Sequence, residues 1–114
     1  MVEALGSLMQ ASQIRQLGVY LHLARDSQRR RRPLMRDRML VLAAAVASQG
    51  GLAAVAAFCR EQVLDHNPRH LLGRWQTVGS ALSDGEFQSF LKQVRRRFPS
   101  EKAEGLLESR GLLM

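Results

Sequence analysis

Apolar side chains recur every three or four residues along most of this chain, and no stretch alternates apolar and polar residues with a period of two. A spacing of three and four places side chains on one face of an α-helix, whereas a half-buried strand requires alternation. The chain of 114 residues is long enough to bury a core without disulfides or metal. The pattern therefore predicts an all-α fold, a single-domain bundle of five or six short helices over residues 1–114.

The first predicted helix covers residues 4–27 and is expected to fray near residues 26–27. Its apolar stripe consists of Ile14, Leu17, Leu21 and Ala24. The four arginines at residues 29–32 precede Pro33, which disfavours helix in the residue before it, and adjacent like charges repel. We therefore expect residues 1–33 to be a helix followed by a solvated linker. This segment docks on the bundle, crosses to a partner chain, or is partly free.

Residues 39–58 carry no charged side chain and are about as long as a membrane span. Arginines precede the segment, and its order of basic, apolar and small residues also resembles an export signal. However, alanine dominates the segment, it begins late for a signal, and Gly50 and Gly51 interrupt it. We expect two buried helices instead, over residues 34–48 and 52–66, packed as an antiparallel pair.

The sequence predicts one helix before Asn67 and another after it. The helix over residues 52–66 is expected to turn Arg60 and Glu61 outward. Its inward face is assigned to Leu52, Val55, Ala56, Cys59 and Val63. Asn67 and Pro68 are typical of an N-cap and a first helical residue, and they predict a fourth helix that ends near Leu82.

Residues 67–113 are predicted to be the best-defined part of the chain, a unit of three helices. Ser83 and the glutamate three residues later match a capping box, which predicts that Ser83 caps a fifth helix over residues 84–98. A sixth helix is expected to be capped by Ser100 and to end at Gly111 in a Schellman motif.

Composition adds a strong positive charge: 17 Lys and Arg against 10 Asp and Glu give a formal net charge of +7. Such a charge favours anionic partners, among them nucleic acid, acidic protein surfaces and anionic lipid. The first basic block consists of Arg29, Arg30, Arg31, Arg32, Arg36 and Arg38. The second basic block consists of Lys92, Arg95, Arg96 and Arg97, opposite the phenylalanines of the fifth helix. All of these residues are candidates for polyanion binding.

No residue spacing is diagnostic of catalysis or of metal binding. Cys59 is the only cysteine, so no intramolecular disulfide can form, and its predicted inward position is typical of a small core residue. His66 and His70 are four residues apart, but the predicted helix break between them disfavours joint ligation of a metal. We expect no enzyme activity, no cofactor and no metal. An enzyme or ligand carrier would need a cavity lined by Trp75, His70 and Cys59.

These patterns indicate a non-enzymatic basic helical module that binds another macromolecule, with protein as the favoured partner. The alternative is sequence-nonspecific nucleic-acid binding through the two basic blocks, which must then share one face. A DNA-reading helix–turn–helix around residues 50–51 is disfavoured, because its second helix would present mainly alanines to the bases.

Three further expectations concern assembly and location. The N-terminal helix offers apolar surface for a homodimer contact through Leu5, Leu8, Met9 and Ile14. A membrane is not an expected partner. The lone cysteine fits a reducing compartment, so we expect a cytoplasmic location.

Overall fold

The computed structural model describes residues 10–109, and this part of the chain is built from helices without a strand. The elements are α1 (Ala11–Arg29), α2 (Pro33–Gln49), α3 (Ala53–His66), a 3₁₀ turn (Leu71–Arg74), α4 (Val78–Leu82), α5 (Gly85–Arg97) and α6 (Ser100–Ser109). The predicted all-α bundle of five or six short helices is confirmed. The predicted helix end at Gly111, and the dimer-contact residues before residue 10, lie outside the described residues.

α2 lies at the centre of the bundle. Its residues 39–47 are all buried, because α1, α3, α4 and α5 pack around it. A helix that is apolar on all sides is typical of a position inside a core. The uncharged segment forms a helical hairpin, as predicted, but its second half is mostly exposed: of residues 51–58, only Ala56 is buried and Val55 is half-buried. Among residues 10–109, no helix is both long enough and apolar enough to cross a bilayer.

α1 ends in a hydrogen-bonded turn two residues later than expected. The backbone N–H of Arg31 donates to the Gln28 carbonyl at 3.2 Å, and that of Arg32 donates to the Ser27 carbonyl at 2.9 Å. This pair of bonds is a Schellman motif. The predicted fraying at residues 26–27 is therefore wrong, because Asp26 and Ser27 are buried inside a regular last turn.

α2 ends in the same motif, at the predicted glycine pair. The N–H of Gly51 donates to the Ser48 carbonyl at 3.1 Å, and the N–H of Leu52 donates to the Ala47 carbonyl at 2.8 Å. Gly51 has φ 83°, the left-handed conformation that this motif requires after a helix. The chain then reverses into α3. Leu52, predicted to face inward, precedes α3 and is 39% exposed.

α1 packs along α2 on a face centred on Tyr20. Its buried positions toward the core include Leu17, Tyr20, Ala24 and Ser27, which follow helical spacing. The Tyr20 hydroxyl donates to the Phe98 carbonyl at 3.1 Å, which ties α1 to the end of α5. Ile14 was predicted on the apolar stripe, but it is 57% exposed, because the core-facing stripe passes beside it.

The predicted continuous helix over residues 68–82 is wrong. Trp75 has extended backbone angles (φ −120°, ψ 144°) and separates the 3₁₀ turn from α4. Arg60 of α3 donates to the Trp75 carbonyl from Nε at 3.1 Å and from Nη2 at 2.6 Å. In a continuous helix, this carbonyl would accept the N–H of Gly79. The outward orientation predicted for Arg60 is wrong for the same reason.

Three helix starts also differ from the predicted caps, which were Asn67, Ser83 and Ser100. Thr77 caps α4, since its Oγ1 accepts a first-turn N–H at 3.0 Å. Asp84 caps α5, since its Oδ1 accepts the N–H of Glu86 at 2.8 Å, whereas Ser83 ends α4. Ser100 is the first residue of α6 and lies inside its first turn.

The last two helices attach to the rest of the bundle at different places. α5 packs on α2 and α4 and buries Phe87, Leu91 and Val94, as its periodicity predicts. α6 packs on α1 and buries Ala103 and Leu107. Whether the whole of residues 1–114 forms one domain stays a prediction.

Candidate functional site

The two basic blocks lie toward opposite ends of α2. Residues 29–32 join α1 to the beginning of α2. In contrast, Nη2 of Arg95 donates to Oε1 of Gln49, the last residue of α2, at 3.2 Å. The helical rise puts the two ends of α2 about 25 Å apart. The fold therefore separates the blocks instead of joining them into one continuous patch.

Only part of the first basic block is exposed. Its exposed part, here called the arginine turn, consists of Arg29, Arg30, Arg31 and Arg32. Arg38 is half-buried. Arg36 is buried, contrary to its predicted place on the surface, because its Nε donates to Oδ1 of Asp37 at 3.0 Å and its Nη1 donates to Oε1 of Gln28 at 2.6 Å.

Asp26 lies beneath the arginine turn and neutralises part of its charge. Its carboxylate accepts Arg29 Nη2 at 3.1 Å and Arg30 Nε at 2.9 Å. The carboxylate is almost fully buried, whereas both arginines remain largely exposed. One carboxylate beside four guanidinium groups leaves the turn positively charged.

Arg31 occupies a backbone position that usually belongs to glycine. Its φ is 57°, and it is the residue of the α1 end that corresponds to Gly51 at the end of α2. A side chain in this conformation costs roughly 1 kcal/mol, because Cβ approaches the following carbonyl oxygen. Strain of this kind is concentrated at functional sites. The strain at Arg31 therefore marks the surface beside the arginine turn as a candidate functional site.

A groove opens next to this turn, between α1 and α3, and α2 forms its floor. Its volume is about 460 Å³. The wall from α1 consists of Leu21, Ala24, Arg25 and Gln28. The floor consists of Arg36 and Leu40, and the wall from α3 consists of Phe58, Gln62 and His66. None of these nine lining residues is acidic.

The groove has an apolar half and a basic half. Leu21, Leu40 and Phe58 form the apolar half, and the Phe58 side chain is 56% exposed. Arg25 follows Leu21 by one turn on α1, and Arg36 precedes Leu40 by one turn on α2. Because α1 and α3 both run antiparallel to α2, these arginines and His66 meet at the other end, close to the arginine turn. The two halves are about 6 Å apart along the groove.

Two side chains of the basic half, Arg36 and His66, are held in place by neighbours. Arg36 is fixed by Gln28 and Asp37, as described above. Nδ1 of His66 donates to the Gln62 carbonyl at 2.7 Å, which orients the ring. The spacing of four along α3, from Phe58 through Gln62 to His66, was visible in the sequence, but these residues were not recognised as one face.

The second basic block lies away from the groove. Gln49 follows Arg36 by about 220° around the helix axis, so Arg95 contacts the opposite side of α2. Lys92 and Arg95 border a shallow depression of about 300 Å³ together with Gln88 and Ser89. Arg96 and Arg97 are exposed beside them. The second block thus forms a separate surface.

Cys59, His70 and Trp75, named for a catalytic or ligand-binding cavity, are engaged in packing. Burial raises the pKa of the Cys59 thiol to about 11, which keeps it protonated near neutral pH and unreactive. Nδ1 of His70 accepts the N–H of Leu72 at 3.1 Å, and its ring lies edge-on to another aromatic ring. Burial lowers the pKa of His70, and the charge of Asp37 partly opposes this shift. Trp75 packs edge-on against a core ring of α5.

Within residues 10–109, no cluster of three or more His, Cys, Asp or Glu side chains is arranged to hold a metal ion. The fold and the surface together define an all-α helical bundle with a groove that is basic at one end and apolar at the other. Comparison with family models, with curated proteins and with solved structures gave no match.

Proposed function

We propose that this protein is a non-enzymatic interaction module that binds an acidic, amphipathic helix of a partner protein in the groove. One observation carries the proposal: the groove combines a 56% exposed phenylalanine with an arginine-lined end and no acidic lining residue. An amphipathic helix with its apolar face in a hydrophobic groove is a recurrent mode of peptide recognition. Acidic side chains on such a helix would complement Arg25 and the arginine turn.

The size of the groove supports a helical segment as the occupant. The wall from Phe58 to His66 spans nine residues, and the eight rises between its ends correspond to about 12 Å, or about two helical turns. A volume of about 460 Å³ lies in the range of pockets that enclose a drug-sized ligand, which is comparable to a few side chains. The groove therefore suits two or three side chains from one face of a short helix better than an extended surface.

Nucleic-acid binding through both basic blocks is less well supported. The arginine turn and the second basic block lie about 25 Å apart along α2. A phosphate backbone would have to reach both ends of the molecule for the blocks to act together. A cytoplasmic location and the absence of enzyme activity are part of the proposal.

Peptide binding measured by fluorescence anisotropy tests the proposal. The probe is a labelled peptide of about three helical turns with leucines on one face and glutamates on the other. A scrambled peptide of the same composition serves as its control. We expect the amphipathic peptide to bind, and Phe58→Ser to weaken binding by about tenfold or more, because an aromatic anchor in a groove carries much of the binding energy.

Ile14→Ser is the matched control variant, since Ile14 and Phe58 are almost equally exposed, at 57% and 56%, and Ile14 does not line the groove. It should leave the affinity unchanged. Equal binding of the scrambled peptide, or equal losses in the two variants, would contradict the proposal. If a mixed-sequence DNA duplex binds instead, with a steep salt dependence that Arg95→Gln, Arg96→Gln and Arg97→Gln together remove, the nucleic-acid alternative is correct.

A further inference from the structure

The geometry points to a carboxylate-binding subsite at the basic half of the groove, one helical turn from the Phe58 subsite. It would select partner helices that carry an Asp or Glu four residues from a large apolar side chain. This inference rests on the proposed function, because it specifies which residues of the partner helix the groove recognises. Three observations support it: the orientation of Arg36, the position of Arg25 and the distance between the halves.

Arg36 forms the floor of this subsite. An arginine has five N–H donors in a fixed plane, and the bonds to Asp37 and Gln28 engage two of them. These two bonds hold the guanidinium in one orientation in the groove floor, where it is nine-tenths buried. A held, planar guanidinium matches the two oxygens of a carboxylate better than a mobile surface charge does.

Arg25 supplies the excess positive charge. Asp37 balances the charge of Arg36, so the pair by itself is close to neutral. Arg25 lies on the α1 wall and is exposed. A carboxylate placed between Arg25 and Arg36 would thus contact one exposed and one fixed guanidinium. Attraction between opposite charges is strengthened where apolar walls exclude water.

The distance between the apolar and basic halves of the groove determines how far apart the apolar and acidic residues of the partner helix must be. Leu21 and Arg25 are one turn apart on α1, and Leu40 and Arg36 are one turn apart on α2. A bound helix that runs along the groove presents its residues i and i+4 with the same separation of about 6 Å. An apolar residue at the Phe58 half therefore places the acidic residue one turn away at the basic half.

The inference is tested with three labelled peptides, each measured against the wild-type protein and against a variant that lacks the charge of Arg25. All carry the same leucine face. The first has a single Glu four residues from the central leucine, the second has Gln at that position, and the third has the Glu on the opposite face. For the wild-type protein, we expect the Glu peptide to bind roughly tenfold more tightly than the Gln peptide and the displaced-Glu peptide. In Arg25→Gln, the preference should fall to about twofold or less.

Arg69→Gln is the control, because Arg69 is also exposed but does not line the groove. It should keep the full preference for Glu. Equal binding of the Glu and Gln peptides to the wild type, or a preference that survives Arg25→Gln, would overturn the carboxylate subsite and leave the groove proposal intact. If none of the peptides binds the wild type, the proposed function itself fails.

Discussion

Arg31 holds a left-handed backbone conformation at the end of α1, where glycine is the usual residue. The equivalent position at the end of α2 is Gly51, and both positions form the same pair of Schellman hydrogen bonds. The two turns thus differ in side chain but not in geometry. Compared with glycine, arginine at position 31 adds positive charge beside the groove and makes the turn less stable.

Replacement of Arg31 by glycine should stabilise the protein. We expect the free energy of unfolding to rise by about 0.5–1 kcal/mol, because glycine has no Cβ to strain the turn. Urea denaturation followed by circular dichroism measures this change. Arg32→Gly is the control: Arg32 has φ −114°, where glycine relieves no strain, so that variant should not be stabilised. A loss of stability in Arg31→Gly would contradict the strain argument.

Among the helices and turns, the features that depend on neighbouring residues were predicted correctly from the sequence. The glycine pair at residues 50–51 ends α2, and the spacing of Phe87, Leu91 and Val94 gives α5 its buried face. In each case, the residues that determine the element lie within a few positions of it. The all-α fold class follows from the same kind of signal.

The sequence failed where a contact from a distant residue decides the structure. The helix predicted over residues 68–82 is interrupted because Arg60 of α3 takes the carbonyl of Trp75, a contact between residues 15 positions apart. The groove was missed for the same reason, since its walls and its floor come from three different helices. One local signal was available, because Thr77 followed three residues later by Ser80 is typical of a helix start.

Asp84, and not Ser83, should contribute to stability as the cap of α5. Asp84→Ala is expected to lower the free energy of unfolding by about 1 kcal/mol, because it removes the acceptor of a first-turn N–H. Ser83→Ala should change it by less than about 0.5 kcal/mol, since the Ser83 hydroxyl makes only a long bond of 3.4 Å to the Gly79 carbonyl. Urea denaturation of both variants compares them, and the reverse order would contradict this assignment.

Among residues 10–109, four helices pack around α2 and bury its residues 39–47. α4 and α5 pack on it, and α1 and α3 flank it. Between α1 and α3, Arg36 and Leu40 form the floor of the groove, and Phe58 belongs to its α3 wall. In the proposed function, this groove receives two or three side chains of a partner helix that lies across it. The positive charge at one end of the groove gives that helix a preferred composition.

The location of peptide binding tests this account most directly. Isotope-labelled protein is titrated with the acidic amphipathic peptide, and backbone amide shifts are followed by NMR. We expect the largest shifts at Arg25, Leu40, Phe58 and Gln62, with residues of the second basic block unchanged. Shifts confined to Lys92 and Arg95–Arg97, or no saturable shifts at all, would contradict the central claim that the groove is the binding surface.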